Sequence, residues 1–256
     1  MRNKSKLIGF IFATLSLTCH ADDKVKWGYE GNIGPEHWGD LSPEFAVCKT
    51  GERQAPINIP SQAAQKSNVQ IKPEYIASTA KVINNGHTIQ VDLNAGGKAQ
   101  FGDKNYKILQ FHMHTPSEEK IDGQGYPMNA HLVHSNLNDS TKQNDEGKLA
   151  VIGLFFKEGN ENVFLKPVLD IMPSSIDAVD LPVQLDLTKL LPNDLAYYGY
   201  AGSLTTPGCS EDGVNFYILK TPVEISTAQL NQFKNIFPMN ARPVLPLNGR
   251  RITAGN

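Results

Sequence analysis

Residues Tyr106-Lys107-Ile108-Leu109-Gln110-Phe111-His112-Met113-His114 alternate in character over nine positions, the period-2 signature of a β-strand. The run ends on two histidines two apart. In a strand such residues share a face and lie roughly 6.5–7 Å apart. His112 and His114 therefore point together, and Met113 points the other way. A strand end that aims two imidazoles from one face needs a polar pocket or a metal ion there. This constrains the fold more than any other feature of the chain. His131 and His134 follow, so that four histidines fall within 23 positions. A separation of three sends His131 and His134 to opposite faces of a strand. Only one of them can join the pair, and the pattern alone does not choose.

The rest of the chain supplies a sheet to hold that strand. Val82 and Asn84, then Val91 and Leu93, flank Asn85-Gly86, a tight-turn signal. Asp122-Gly123-Gln124-Gly125 reads as another turn. Ala130–His134, Leu149–Phe156 and Val214–Leu219 read as further strands. Helical signals are few. Over Val163–Met172, residues Phe164, Leu165, Val168, Leu169 and Met172 have helical spacing, with Pro167 tolerable only near the start. Ser226-Thr227-Ala228-Gln229 has the form of a capping box, followed by Leu230, Phe233 and Ile236 on one face. Residues 22–60 are rich in Gly, Pro and Trp without a period and read as an irregular arm laid over a core; 138–147 read as a polar loop. No repeat and no linker divides the chain. The expected fold is a mainly β (α+β) single domain. It is built on a large, mostly antiparallel twisted central sheet with short peripheral helices.

The N-terminus has the grammar of an export signal. Arg2, Lys4 and Lys6 precede the apolar run Leu7–Leu17, and Cys19 and Ala21 put small residues before Asp22. Residues 1–21 are thus expected to be a removed signal peptide, and 22–256 the mature domain. Their removal takes three basic residues and no acids, moving the formal charge from −2 to −5. This balance excludes a basic nucleic-acid binder, and no apolar run reaches the length of a membrane span. The expected location is periplasmic or secreted. Cys48 and Cys209 remain, and two cysteines in an exported chain suggest one disulfide. It would close a loop of about 160 residues, with a chain-entropy contribution of roughly 5 kcal/mol.

Zinc accepts imidazole nitrogens at about 2.0–2.1 Å, and catalytic sites use three protein ligands with one position open. Closed structural sites usually use cysteine, and neither surviving cysteine has a partner at ligand spacing. Three histidines with an open position therefore point to catalysis.

Several motifs sharpen this reading. They are Trp27-Gly28-Tyr29-Glu30-Gly31, Gln54-Ala55-Pro56-Ile57-Asn58-Ile59, Asn84-Asn85-Gly86-His87 and Gln110-Phe111-His112-Met113-His114-Thr115-Pro116-Ser117-Glu118. Ala130-His131-Leu132-Val133-His134, Leu149-Ala150-Val151, Gly202-Ser203-Leu204-Thr205-Thr206-Pro207 and the tail with Arg242-Pro243, Pro246-Leu247 and Arg250 complete the set. Across nearly the whole mature chain the sequence resembles an α-class carbonic anhydrase of the secreted bacterial type. The resemblance implies a zinc enzyme that interconverts carbon dioxide and bicarbonate. It places the zinc ligands on His112, His114 and His131, leaving His134 structural. Bound zinc lowers the pKa of water to about 7, which makes hydroxide available at neutral pH. Thr205 matches a threonine that orients this hydroxide while donating to Glu118. His87 matches a proton shuttle, which an ordinary imidazole pKa near 6.5 suits. Val133, Val151 and Leu204 match an apolar carbon dioxide pocket, and Thr206 a polar neighbour of bicarbonate. Gln110 matches a hydrogen-bond partner of a ligand histidine, and Cys48–Cys209 the disulfide common in secreted members. Sulfonamides and inorganic anions are the expected inhibitors; the resemblance admits a homodimer, for which the sequence shows no interface pattern.

Three positions depart from the family pattern. Asn129 stands where relatives usually carry glutamate two residues before the third ligand. Its amide oxygen is expected to accept the imidazole N–H without supplying a charge, which predicts weaker zinc retention or altered activity. Glu119 stands where bacterial relatives often have histidine and reads as a solvated or rim charge. Phe216 replaces a usual Trp and slightly enlarges the apolar side of the pocket. The competing classes are a catalytically impaired binding protein on the same scaffold and a zinc ester hydrolase. Members without activity typically lack zinc histidines, whereas His112, His114 and His131 are all present here.

Overall fold

The computed structural model describes residues 25–137 and 147–256. The leader expected at 1–21 and most of the polar loop expected at 138–147 lie outside the described residues. Among those described, 13 strands join in one sheet. Its centre consists of β1 (Ala80–Asn84), β2 (Ile89–Leu93), β3 (Lys104–His114), β4 (Met128–Asn136), β5 (Leu149–Glu158), β6 (Tyr197–Gly202) and β7 (Val214–Leu219). They lie in the order β1-β2-β3-β4-β5-β7-β6. Neighbours pair antiparallel except β5 and β7, which run parallel. The helices are short: besides one turn at Trp38–Leu41, they include α1 (Val47–Thr50) in the arm, then α2 (Lys166–Ile171) and α3 (Thr227–Lys234).

The α2 helix is shorter than the spacing of its apolar residues suggests. Asn162 Oδ1 accepts the Leu165 N–H at 3.0 Å and holds the preceding residues in a turn. Pro167 then sits in the first helical turn, where its missing N–H removes no intrahelical bond. The α3 helix begins with the expected capping box: Ser226 and Gln229 each accept the other's backbone N–H at 3.2 Å.

The alternation of β3 breaks once, and the break makes the site possible. Ile108 pairs with His134 and Gln110 with Val133, so Leu109 is the extra residue of a β-bulge. Before the bulge Tyr106 and Ile108 enter the larger core; after it Phe111 and Met113 do. The phase has inverted. Gln110, His112 and His114 therefore turn to the opposite face. Unbroken alternation would have driven both histidines into apolar packing beside Ile108.

The sheet separates two environments. On one face Ala130, Leu132, Ile152 and Leu154 pack with Val168 and Leu169 of α2 and Leu230 and Phe233 of α3. On the other, Val151, Phe155, Phe216 and Ile218 meet Ala55, Ile57 and Ile59 of the arm. The arm is turns and short helices anchored by Trp38, which is wholly buried. Its Nε1–H points at the carbonyl oxygens of Gly28 (2.8 Å) and Ile33 (3.1 Å). His134 lies on the larger-core side. Its Nδ1 is 3.0 Å from the Ala150 carbonyl and its Nε2 2.7 Å from the Tyr75 hydroxyl. Burial lowers its pKa to about 4. The ring is thus neutral with both nitrogens satisfied, a structural histidine.

Candidate metal centre and active-site cavity

Strands β3 and β4 set His112 opposite His131 and His114 opposite Asn129. The potential ligand atoms of His112, His114 and His131 all lie within 4.8 Å of one another. Each ring has one nitrogen already engaged. His112 Nδ1 is 2.9 Å from Gln110 Oε1, His114 Nδ1 is 2.9 Å from the Asn240 carbonyl oxygen, and His131 Nε2 is 3.1 Å from Glu119 Oε2. A neutral imidazole that donates from one nitrogen carries a lone pair on the other. His112 Nε2, His114 Nε2 and His131 Nδ1 are left to converge. His114 Nε2 is buried with no hydrogen-bond partner. A buried, unsatisfied nitrogen is costly in an apoprotein, and a metal ion removes that cost. Three convergent imidazole nitrogens beside a cavity fit zinc with an open coordination position.

Electrostatics favours the neutral, ligand form of His112 and His114. Burial lowers the His112 pKa well below its ordinary value, and His114 and His131 add to the effect. Burial also takes His114 to about 3. His131 differs. Burial lowers its pKa, but the charge and hydrogen bond of Glu119, then Glu118, outweigh that and hold it above the usual imidazole value. Glu119 answers in kind: burial alone would raise its pKa, and His131 holds it low. Glu118 Oε1 accepts the Arg242 backbone N–H at 2.9 Å. Its Oε2 lies 3.6 Å from His114 Nε2 and 3.7 Å from His131 Nδ1. Burial pushes Glu118 up to about 7, against the pull of His131; Glu119 raises it further, while the Arg242 N–H and the Thr205 hydroxyl oppose the rise.

A cavity of about 260 Å³ opens over the three rings. His87, Gln110, Thr205 and Thr206 contribute to its polar side, and Val133, Val151, Leu204 and Phe216 to its apolar side. Glu118 and Asn129 do not line it; both are buried behind the histidines. His87 is half-buried and stacks on Trp27, ring centroids 3.5 Å apart and planes within 10°. Burial lowers its pKa. Cys48 of α1 is bonded to Cys209, which follows the Thr205-Thr206 turn.

Two expectations are corrected. Glu119 is not a rim charge: it is fully buried and touches His131, Asn129 and Tyr200. Asn129 does not offer its amide oxygen to the imidazole, because that oxygen accepts the Glu118 backbone N–H at 3.3 Å. Two participants gave no signal in the sequence. Asn240 is wholly buried and reaches His114 through its carbonyl. Its side chain also binds the carbonyls of His87 and Met113 and the Thr115 N–H. Tyr200 sits on a strand, with its hydroxyl on Glu119 at 3.1 Å. The tail motif around Arg242 was the nearest hint to Asn240.

A sequence model of the eukaryotic-type carbonic anhydrase family matches residues 33–256. The chain belongs to that family. It is 40% identical to a carbonic anhydrase of Pectobacterium carotovorum, over 97% of this chain and 99% of the relative. Identity to a carbonic anhydrase of Neisseria gonorrhoeae is 41%, over 93% and 94%. Among solved structures, the α-carbonic anhydrase of Thermovibrio ammonificans in complex with the inhibitor sulfanilamide aligns with a TM-score of 0.83 at 43% identity, covering 90% of this chain and 99% of that one.

Proposed function

We infer that this chain catalyses the reversible hydration of carbon dioxide to bicarbonate and a proton. The observation that carries this reading is the convergence of three imidazole nitrogens, one of them buried without a partner, at the floor of a half-apolar cavity. His112, His114 and His131 would hold Zn2+. When bound there, zinc would supply hydroxide at neutral pH by lowering the pKa of water to about 7.

The chain's own residues do the rest. Val133, Val151 and Leu204 present an apolar wall, which suits a substrate with no charge to solvate. Thr205 stands between the cavity and Glu118. Its hydroxyl would donate to that carboxylate and keep a lone pair for a hydroxide held in the cavity, orienting it. Thr206 offers a polar contact to bicarbonate, and Gln110 holds the His112 tautomer. His87 carries the product proton from the cavity to solvent. Aromatic sulfonamides and inorganic anions would compete at the open position. The disulfide supports a periplasmic or secreted protein.

The deciding experiment is stopped-flow carbon dioxide hydration on protein of measured zinc content, with and without an aromatic sulfonamide. Turnover that the sulfonamide abolishes is the expected result. Full zinc content without turnover above buffer would overturn the reading. The shuttle has its own test. His87→Ala should lower kcat on the order of 10²-fold in dilute buffer, leave kcat/KM nearly unchanged, and recover with added imidazole. A kcat indifferent to both substitution and buffer would remove His87 from the proton path.

A further inference from the structure

His131 is the ligand whose outer nitrogen faces a carboxylate; His112 meets an amide oxygen and His114 a backbone carbonyl. That carboxylate does not come from the ligand's own strand. Asn129, two residues before His131 on β4, has its Oδ1 bound to the Glu118 N–H, which fixes the amide with Nδ2 toward the imidazole. Nδ2 lies 3.0 Å from Glu119 Oε2 and 3.1 Å from His131 Nε2. If Nδ1 is kept for a metal, Nε2 carries the proton, and two donors cannot bond each other. The His131 proton therefore goes to Glu119 Oε2, at 3.1 Å. The other Glu119 oxygen accepts from the Tyr200 hydroxyl at 3.1 Å. Phe216 seals the group, edge-on to His131 (5.6 Å between centroids) and stacked on Tyr200 (4.8 Å).

We propose that Glu119 is the positioning carboxylate of the third metal ligand, and that Asn129 is the clamp that orients it. This rests on reading the three histidines as ligands. The carboxylate arrives from the loop after β3, and the amide occupies the strand position from which a carboxylate would otherwise reach the ring. A charged acceptor on the outer nitrogen fixes the tautomer and makes the ligating nitrogen more basic. The uncharged residue at 129 therefore does not weaken the site.

Three variants test the assignment, read by zinc affinity in chelator competition and by the imidazole N–H proton resonance of His131. Glu119→Gln keeps an acceptor and loses the charge; it should weaken zinc binding about 10–100-fold and shift the resonance upfield. Asn129→Glu alone sets a new carboxylate against Glu119 and near Glu118, and should also weaken zinc binding. The exchange Glu119→Gln with Asn129→Glu restores one carboxylate and one amide. It should recover most of the affinity and the downfield resonance, which a merely structural role for Glu119 would not produce. Unchanged affinity and resonance in Glu119→Gln, or tighter zinc binding in Asn129→Glu alone, would overturn the proposal. Thermal melts of the metal-free variants separate misfolding from ligand effects. Zinc binding that follows this pattern without carbon dioxide turnover would sink the functional reading and leave the positioning role standing.

Discussion

Alanine at His114 leaves the protein unable to retain zinc in dialysis, and carbon dioxide hydration falls to the buffer rate. Three nitrogens converge on the site, and His114 supplies the one that is buried without any other partner. Removing it leaves two ligands from separate strands, below the three that a catalytic zinc site uses. The loss also appears in stability. A metal that binds only the folded chain adds about 4 kcal/mol at a thousandfold excess over Kd. Wild-type protein should therefore melt lower after chelation and recover with added zinc, whereas His114→Ala should melt at one temperature under all three conditions. Stoichiometric zinc in the variant at wild-type affinity, or turnover above buffer, would contradict the assignment of His114 as a ligand.

What the sequence made legible follows the regularity of the backbone. Strand alternation put His112 and His114 on one face and separated His131 from His134, because side chains in a strand have a fixed period. Alternation did not reveal that the same face would have been the wrong one without Leu109. A bulge is an extra residue with no compositional mark in Ile108-Leu109-Gln110, and it becomes visible only through the pairing of β3 with β4. The two adjacent carboxylates show the opposite limit. Past His114 the chain leaves β3, so no period says which of Glu118 and Glu119 points inward. Both do, because the loop turns over the buried ends of β3 and β4, and because Arg242, Asn129 and Tyr200 supply donors from distant segments. A run of charged residues read as a solvated edge is a sound inference only where the backbone is regular or exposed. The capping box of α3 was readable because both partners lie within one turn. Asn240 was not, because its partners His87, Met113, His114 and Thr115 lie more than a hundred residues away.

Replacing Cys48 and Cys209 together by serine should cost about 5 kcal/mol of stability, the chain-entropy value for a closed loop of this length. The bond spans 161 residues and so constrains most of the unfolded mature chain. The denaturant midpoint should fall by the corresponding amount, with the m-value rising because the unfolded chain becomes less compact. The effect should reach the site as well. The Thr205 turn closes on itself through Cys209 N–H to Thr206 O at 2.9 Å and Leu204 N–H to Ser210 O at 2.9 Å. It is tied to the arm by Gln54 Nε2–H on the Cys209 carbonyl at 3.0 Å and by the disulfide to α1. Arg242, whose backbone N–H holds Glu118, also reaches the Cys48 carbonyl at 3.2 Å. One covalent bond thus braces both Thr205 and Glu118, the two groups we propose would orient the hydroxide. A displacement of about 1 Å in such a group can cost on the order of 10²-fold in rate. The remaining contacts to Gln54 and Arg242 limit the shift, so kcat should fall less than that, while zinc affinity, set by β3 and β4, should hold. Equal losses of zinc and turnover would mean that the disulfide supports the metal strands. Unchanged stability would mean that the unfolded chain is already compact, leaving little loop entropy for the bond to remove.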